Sequence, residues 1–466
     1  MSRLRSNPCG LLRLAITREG NFSKSKDANI LSTLKKNRLY GYLSRHEQFE
    51  LMLTRGIILA ISFVTIPIVL SNAGNEVFGV LSIITGLSSV SSFTDFGIAN
   101  GVISQIARLK SQANLSGIQQ VVTNAFALLS ILGLFFIILG FPISNNISWG
   151  SIFNLSDSTL GTFKYSVFLL FIGLGLGMMG SVSYKILLGL GKNRLYSRWM
   201  LLATLLSALT QLLFSQSANP LPGLVFGSLI VPQFVSLICL FTLLRHRPEL
   251  SVTPSMVSKN YVIKFLKEGS IFSFLQISAL LSYQIDSVIV GHLLTPEKVT
   301  MLNVSWKAFS LPLLFVSIAF IPLWAKTSEL ESKDNSINIW KLWAKPAKLI
   351  CLFIFPASIG VVFLGKPAIS AWTQGQVIPS TSLVFASATW LLLGSLMQPA
   401  GMIMNGLQSK RFLFFSATFF TVLDLFGSYF LVKLTGDPSG TLWANSIVAI
   451  PCFFLPFWII YRSKKA

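Results

Sequence analysis

GIILAISFVTIPIVL, residues 56–70, carries no charge, and only Ser62 and Thr65 interrupt its apolar run. An α-helix rises about 1.5 Å per residue, so about 20 such residues cross the roughly 30 Å of hydrocarbon in a bilayer. With its neutral flanks this run is long enough. A backbone in lipid must satisfy its own hydrogen bonds, which predicts a helix. The polar/apolar alternation of a membrane barrel is absent.

Working outward, similar runs recur near residues 77–93, 121–139, 166–188, 199–214 and 224–244. A second set lies near 270–294, 301–324, 349–364, 383–407, 412–431 and 442–461. Composition agrees: 52% of the chain is hydrophobic and 11% charged, against about 25% charged in soluble domains. Its 38 Phe residues suit contact with lipid. The expected fold class is an all-α integral membrane protein of about twelve transmembrane helices.

The net charge of +21 raises nucleic-acid binding, but topology explains it better. With the N-terminus inside, Lys164, Lys298, Lys307, Lys366 and Lys433 fall outside and the other Lys and Arg of the 37 fall inside. That bias predicts two cytoplasmic termini and an even number of spans. No nucleic-acid partner is expected.

Five regions follow: a basic tail (1–53), a first six-helix bundle (54–244), a basic linker (245–267), a second six-helix bundle (268–461) and a short C-terminus (462–466). The tail has no apolar core of a secretory signal, and its charge suits anionic lipid headgroups. The two bundles look duplicated. GLGKNR begins at Gly189 and GLQSKR at Gly406, an offset of 217, and Gly223 and Gly440 share it. Parallel repeats of this kind place a substrate path between the halves. The prolines and the glycines Gly173, Gly175, Gly177 and Gly180 suit bent, closely packed helices.

Cys9, Cys239, Cys351 and Cys452 form no CxxC pair and read as packing residues. His46, His246 and His292 are too scattered for a metal site. There is no Walker A motif and no loop long enough for an enzyme domain; the stretch 140–165, the longest expected outer loop, is nearly uncharged. No metal, cofactor or catalytic residue is expected.

What remains is polarity inside the membrane. A charge at a span's centre costs about 2.5–3.5 kcal/mol on insertion scales, so it faces a cavity or a partner. Thr85, Ser88, Ser92 and Asp95 fall within about 80° of one another at about 100° per residue. Gln276, Tyr283 and Ser287 share a stripe bordered by Asp286, and Asn303, Lys307, Ser310 and Ser317 share another. Asp286 and Lys307 are the sharpest candidates, although Lys307 near a span end also suits snorkelling. Arg55 and Lys185 stand at inner span ends where an anion would enter, and where topology alone also places bases. Asp424, with Thr421 and Ser428 on its face, reads first as structural.

Several segments resemble one family. SFTDFGIANG (92–101) is similar to the (A/D)-D-x-G-(I/L)-(G/A)-N-G segment of bacterial polysaccharide flippases. LSNAGNEVFG (70–79), WGSIFNLS (149–156) and Pro322-Leu323-Trp324 with Ser328-Glu329 resemble further elements in the same order. The resemblance covers about residues 40–461 and is to the oligosaccharide flippase branch of the multidrug/oligosaccharidyl-lipid/polysaccharide exporter superfamily. It implies two six-helix bundles of the MATE-like transporter fold, and alternating access. It also implies an inner-membrane carrier of a polyprenyl-diphosphate-linked glycan for O-antigen, capsule or exopolysaccharide. Other polysaccharide assembly proteins are then expected as partners, beside membrane lipid. By position Asp95, Asn100, Lys307 and Trp324 match recurring family residues. The chain departs from the family in having few intramembrane Lys or Arg, which argues against a multi-arginine diphosphate clamp. Asp286 or Asp95 is then the candidate for H+ or Na+ coupling. Two alternatives stand: a cation-coupled multidrug exporter of the same superfamily, and a membrane-embedded glycan polymerase or ligase.

Overall fold

The structure is a computed structural model describing residues 24–88, 98–155, 157–258, 261, 285–332, 339–407 and 410–463. The chain divides into two compact units, Met1–Gly56 and Ile57–Ala466. The described part of the first, 24–56, is helical. The second holds the bundles.

The helices are α1 (Lys24–Ser88), α2 (Ile98–Ser111), α3 (Leu115–Asn146), α4 (Trp149–Phe153), α5 (Asp157–Gly189), α6 (Asn193–Phe214) and α7 (Pro220–Val225). A π turn (Phe226–Ile230) joins α7 to α8 (Val231–His246). The second half comprises α9 (285–293), α10 (Pro296–Phe309), α11 (Leu311–Ala319), α12 (Ile321–Ser332), α13 (Ile339–Trp372), α14 (Thr381–Gly406), α15 (Lys410–Thr435) and α16 (Ser439–Ser463). No strand occurs among the described residues.

Nine segments among the described residues are long and apolar enough to cross a bilayer. The first, Leu53–Ser88, contains the run at 56–70 and the part of the run at 77–93 that lies within the described residues. They part at Gly74, whose φ of 83° and ψ of 167° belong almost to glycine alone. The run at 442–461 falls within α16, and that at 270–294 is described as helix over 285–293. The chain is an all-α, multi-pass membrane protein. The stretch 140–165 is mostly not a loop: α3 runs to Asn146, α4 adds a turn of helix, and α5 begins at Asp157. Large apolar side chains such as Ile138, Phe241, Phe363 and Phe426 face outward, as lipid contact requires.

One helix sits at the centre of each half. The segments Thr159–Gly189 and Thr381–Gly406 are each 61% buried over their apolar windows, well above the other spans. In α5 the glycines make that position accessible. A Cβ on Gly133 or on Gly175 would lie 2.5 Å from the other's carbonyl oxygen, so α3 and α5 touch backbone to backbone. The paired glycines of the repeat do matching work. A Cβ on Gly189 would crowd Ile106 of α2, and one on Gly406 would crowd Thr327 of α12. Likewise Gly223 closes against Phe214 and Gly440 against Leu431 and Val432, each at the end of the preceding span.

The halves interlock at one end. Asn75 donates to the Gln376 carbonyl at 2.9 Å, and its own carbonyl accepts from the Thr300 hydroxyl at 2.6 Å. The Asn154 amide reaches the His292 and Leu294 carbonyls at 3.2 Å each, while His292 Nδ1 lies 2.7 Å from the Ile152 carbonyl. Trp372 stacks on Phe63 at 4.7 Å and donates to its carbonyl. A Cβ on Gly79 would collide with the Pro296 carbonyl.

The linker is docked over its described part. Buried Asn124 of α3 donates to the Met256 carbonyl at 2.9 Å and accepts from the Ser258 N–H at 2.7 Å. Gln119 holds Ser251, and Thr123 accepts from the Thr253 N–H.

Candidate functional site: a polar cavity and a buried acid pair

The first site is a cavity of about 240 Å³ lined by α1, α6 and the π turn, with Lys307 entering from α10 of the other half. Its walls carry Ser62, Thr65, Thr85, Ser207 and Gln211. A hydroxyl inside an apolar helix turns back on its own backbone. Thr65 donates to the Ile61 carbonyl at 2.8 Å, Thr85 to Ser82 at 3.2 Å and Thr204 to Met200 at 3.0 Å. Each donor is thereby consumed and the oxygen lone pairs remain, so the wall is rich in acceptors. Lys307, an exposed side chain, adds donors and a positive charge. Such a surface accepts hydroxyl donors over much of its area and an anion at one point.

The second site lies in the second half. Asp286 is 8% exposed, Asp424 and Ser428 are fully buried, and Asn445 is 2% exposed. The Ser428 hydroxyl stands 3.5 Å from one oxygen of Asp286 and 3.5 Å from one of Asp424. It has a single proton, so it serves one carboxyl group at a time. Asn445 donates to the other oxygen of Asp286 at 3.2 Å. That leaves Asp424 Oδ2 and Asn445 Oδ1 buried with no hydrogen-bond partner among the described residues. Orphaned buried acceptors usually mark a water or an ion. A void of about 20 Å³ beside Asp286, Asn303 and Asn445 has the room, since one water needs about 10–15 Å³.

The expected candidates are distributed unevenly. Asp286 and Asn303 meet at the acid pair, where Asn303 donates to Ser287 at 2.9 Å. Lys307, on the same stripe by sequence, lines the other cavity. Helix α10 ends at Phe309, so that stripe does not run on as one helix to Ser317. Lys185 is buried against a third cavity. Trp324 is 48% exposed and lines none of the three. Arg55 belongs to the first unit and is exposed. Asp95, Gln276 and Tyr283 lie outside the described residues, as does the side chain of Asn100. A cleft lined by the polar stripes at 85–95, 276–287 and 303–317 was expected. Among the described residues its wall comes from α1, α6 and the π turn, with Lys307 alone from the second half. Asp424, read first as structural, is the partner of Asp286. Cys239 is buried as expected of a packing residue, while Cys351 is exposed.

This fold has solved counterparts. An inward-facing multidrug resistance MATE transporter of the MOP superfamily superposes with a TM-score of 0.73 at 16% identity, over 88% of this chain and 95% of that one. The lipid II flippase MurJ, in an inward closed conformation, gives 0.67 at 14% identity over 88% and 87%. The outward-facing MATE conformation gives 0.57 at 17% identity over 90% and 96%. The class is therefore the two-bundle fold of that superfamily. More narrowly, the family model described as polysaccharide biosynthesis protein matches residues 70–374, and this chain belongs to that family. A Salmonella typhimurium protein named provisionally as an O-antigen transporter is 26% identical over 321 residues, 66% of this chain and 69% of its own length. A Yersinia pseudotuberculosis protein named provisionally for O-antigen export is 24% identical over 334 residues, 67% and 71% respectively.

Proposed function

We propose that the protein is a flippase. It carries a polyprenyl-diphosphate-linked oligosaccharide across the bacterial inner membrane for surface polysaccharide assembly, with both termini in the cytoplasm. The observation that carries this reading is the cavity between the halves: acceptor-rich walls and a single described lysine. Sugar hydroxyls meet the acceptors, and Lys307 meets the diphosphate or an acidic sugar. An amphipathic drug would be better served by the mostly apolar walls usual in small-molecule sites. Family membership and the provisional O-antigen names of the relatives support the same cargo.

The halves exchange access to the two sides. Closure at the Asn75 end, by hydrogen bonds and by one apolar cluster that includes Leu70 and Phe78 of the first half and Val290 and Val299 of the second, supports an inward-open state. The acid pair binds H+ or Na+, because a cation there relieves the repulsion of two buried carboxylates and satisfies two orphaned oxygens. It biases the states by binding one more tightly than the other.

The test is complementation in a strain lacking its own surface-glycan flippase. Restored glycan, lost in Lys307→Ala and Asp286→Asn at matched protein levels, is the expected result. Dye efflux with no effect on surface glycan would move the protein to the multidrug branch.

A further inference from the structure

Helix α4 is only five residues long, yet its base is well packed. Trp149 and Phe153 are buried, lie nearly parallel with ring centres 6.1 Å apart, and each meets Phe163 of α5 at 5.7 Å. The Trp149 indole donates to the Ser144 carbonyl at 3.1 Å. So short a helix is marginal by itself, and aromatic packing orders it. The turn closes at Asn154, whose φ of 49° and ψ of 45° lie in the left-handed region. Asparagine tolerates that region, because its short amide can bond nearby backbone.

Here the amide bonds across the seam between the halves. Its Nδ2 donates to the His292 and Leu294 carbonyls at 3.2 Å each. Both lie at the end of α9, where a helix runs out of N–H partners. The helical partner of the His292 carbonyl would be the N–H of residue 296, and that residue is Pro296, which has none. The Lys298 N–H, which would serve Leu294, goes to the Thr295 carbonyl. The first half thus supplies a cap that the sequence of the second half withholds. The grip is mutual: the Ile152 carbonyl of α4 accepts from His292 Nδ1–H at 2.7 Å. Gly291 permits the approach, since a Cβ there would lie 2.6 Å from Ile83 of α1 and 3.3 Å from Phe153 of α4.

We propose that Asn154 is the latch of the Asn75 end, a positioning residue of the first half that holds the seam shut by capping α9 of the second. Its two hydrogen bonds are exposed, so water meets the carbonyls when the latch lets go. That suits a catch that must open and close. Helix α9 also carries Asp286, six residues before His292 and so about 9 Å along the axis. The seam and the acid pair therefore hold the two ends of one short helix. The part of the latch in transport rests on the function proposed above; its grip on α9 does not. The Gly79–Pro296 contact is a separate hold on the same end, and Asn154→Cys isolates it by removing the latch.

The experiment uses the full chain, purified in detergent, without its four native cysteines. Val299→Cys, at a buried position of α10 in the apolar cluster shared by both halves, reports the seam by its rate of reaction with a maleimide. Val122→Cys, buried in a separate cluster of the first half, reports general loosening. Asn154→Gly keeps the left-handed turn and removes the amide. Asn154→Asp keeps the shape but sets an acceptor-only carboxylate against two carbonyl acceptors. Seam labelling is expected to rise about threefold or more in Asn154→Gly and about tenfold or more in Asn154→Asp, with Val122→Cys unchanged in both. An unchanged seam rate in Asn154→Gly overturns the proposal. So does an equal rise at Val122→Cys, which marks loosening of the fold and not release of a latch. Complementation separates this proposal from the function. Faster seam labelling in Asn154→Gly, in a protein that restores no surface glycan, keeps the latch and removes the flippase. Restored glycan with an unchanged seam in Asn154→Gly does the reverse.

Discussion

Lys307 enters a wall that otherwise offers neutral oxygen acceptors, so its loss removes the charge from the cavity while leaving the shape. Lys307→Ala is expected to lower glycan export by about tenfold or more, as removal of a charge-assisted bond does, and Lys307→Arg to restore most of it. Immunoblotting of surface glycan at equal membrane levels of the variants checks this. For the acid pair, Asp286→Asn and Asp424→Asn are each expected to abolish dependence of transport on a cation gradient in proteoliposomes, whereas Ser305→Ala, at a buried hydroxyl outside the pair, is expected to leave it. Asp286 and Lys307 were legible in the sequence because a charge within an apolar run is costly and conspicuous. Asp424 gave the same signal, but its partner is 138 positions away and only the fold joins them. Ser207, Gln211 and Ser228 were not legible as cavity residues. Intramembrane hydroxyls are common, and which face meets the cleft is set by packing.

At the scale of helices, the repeat was legible because small residues are needed wherever two helix ends must nearly touch. Gly189 and Gly406 are 217 positions apart and close the central helix of each half against its neighbour. Helix propensity favours alanine over glycine by about 0.5–1 kcal/mol, yet overpacking costs about 1–3 kcal/mol. With a Cβ 2.8 Å from Ile106 in one case and 2.5 Å from Thr327 in the other, the clash should win. Gly189→Leu and Gly406→Leu are expected to lower the melting temperature in detergent, each more than Gly360→Leu, where a Cβ meets nothing within 4 Å. Helix lengths were less legible than helix positions. Helix α13 runs 34 residues and contains Pro346, Pro356 and Pro367, two of them beyond the run at 349–364 on either side. Neighbouring helices carry a helix through a proline that sequence reads as its end. The π turn left no signal, because nothing in Phe-Gly-Ser-Leu-Ile marks one extra residue in a turn.

For the molecule as a whole, closure at the Asn75 end combines a few hydrogen bonds, a buried apolar cluster drawn from both halves and the absence of a side chain at Gly79. Gly79→Leu is expected to wedge that end open. An impermeant maleimide should then label Asn154→Cys several-fold faster than in the parent protein, in a background where exposed Cys351 is alanine. Unchanged labelling would show that the Pro296 contact does not hold the end shut. That such a seam existed was legible from the duplication. Its residues were not, since they come from stretches far apart in the chain and from backbone carbonyls, which carry no residue identity. One feature of α10 reaches further. Asn303 stands in the acid-pair void and Lys307 in the polar cavity, one helical turn apart. If the cation and the glycan are sensed through the same turn of helix, their affinities are thermodynamically linked, and linkage is reciprocal. The factor by which the ion raises or lowers affinity for the glycan must equal the factor by which the glycan changes affinity for the ion. A titration of the ion with and without a soluble glycan diphosphate therefore measures, at equilibrium and with no membrane gradient, how strongly the two proposed sites are geared together.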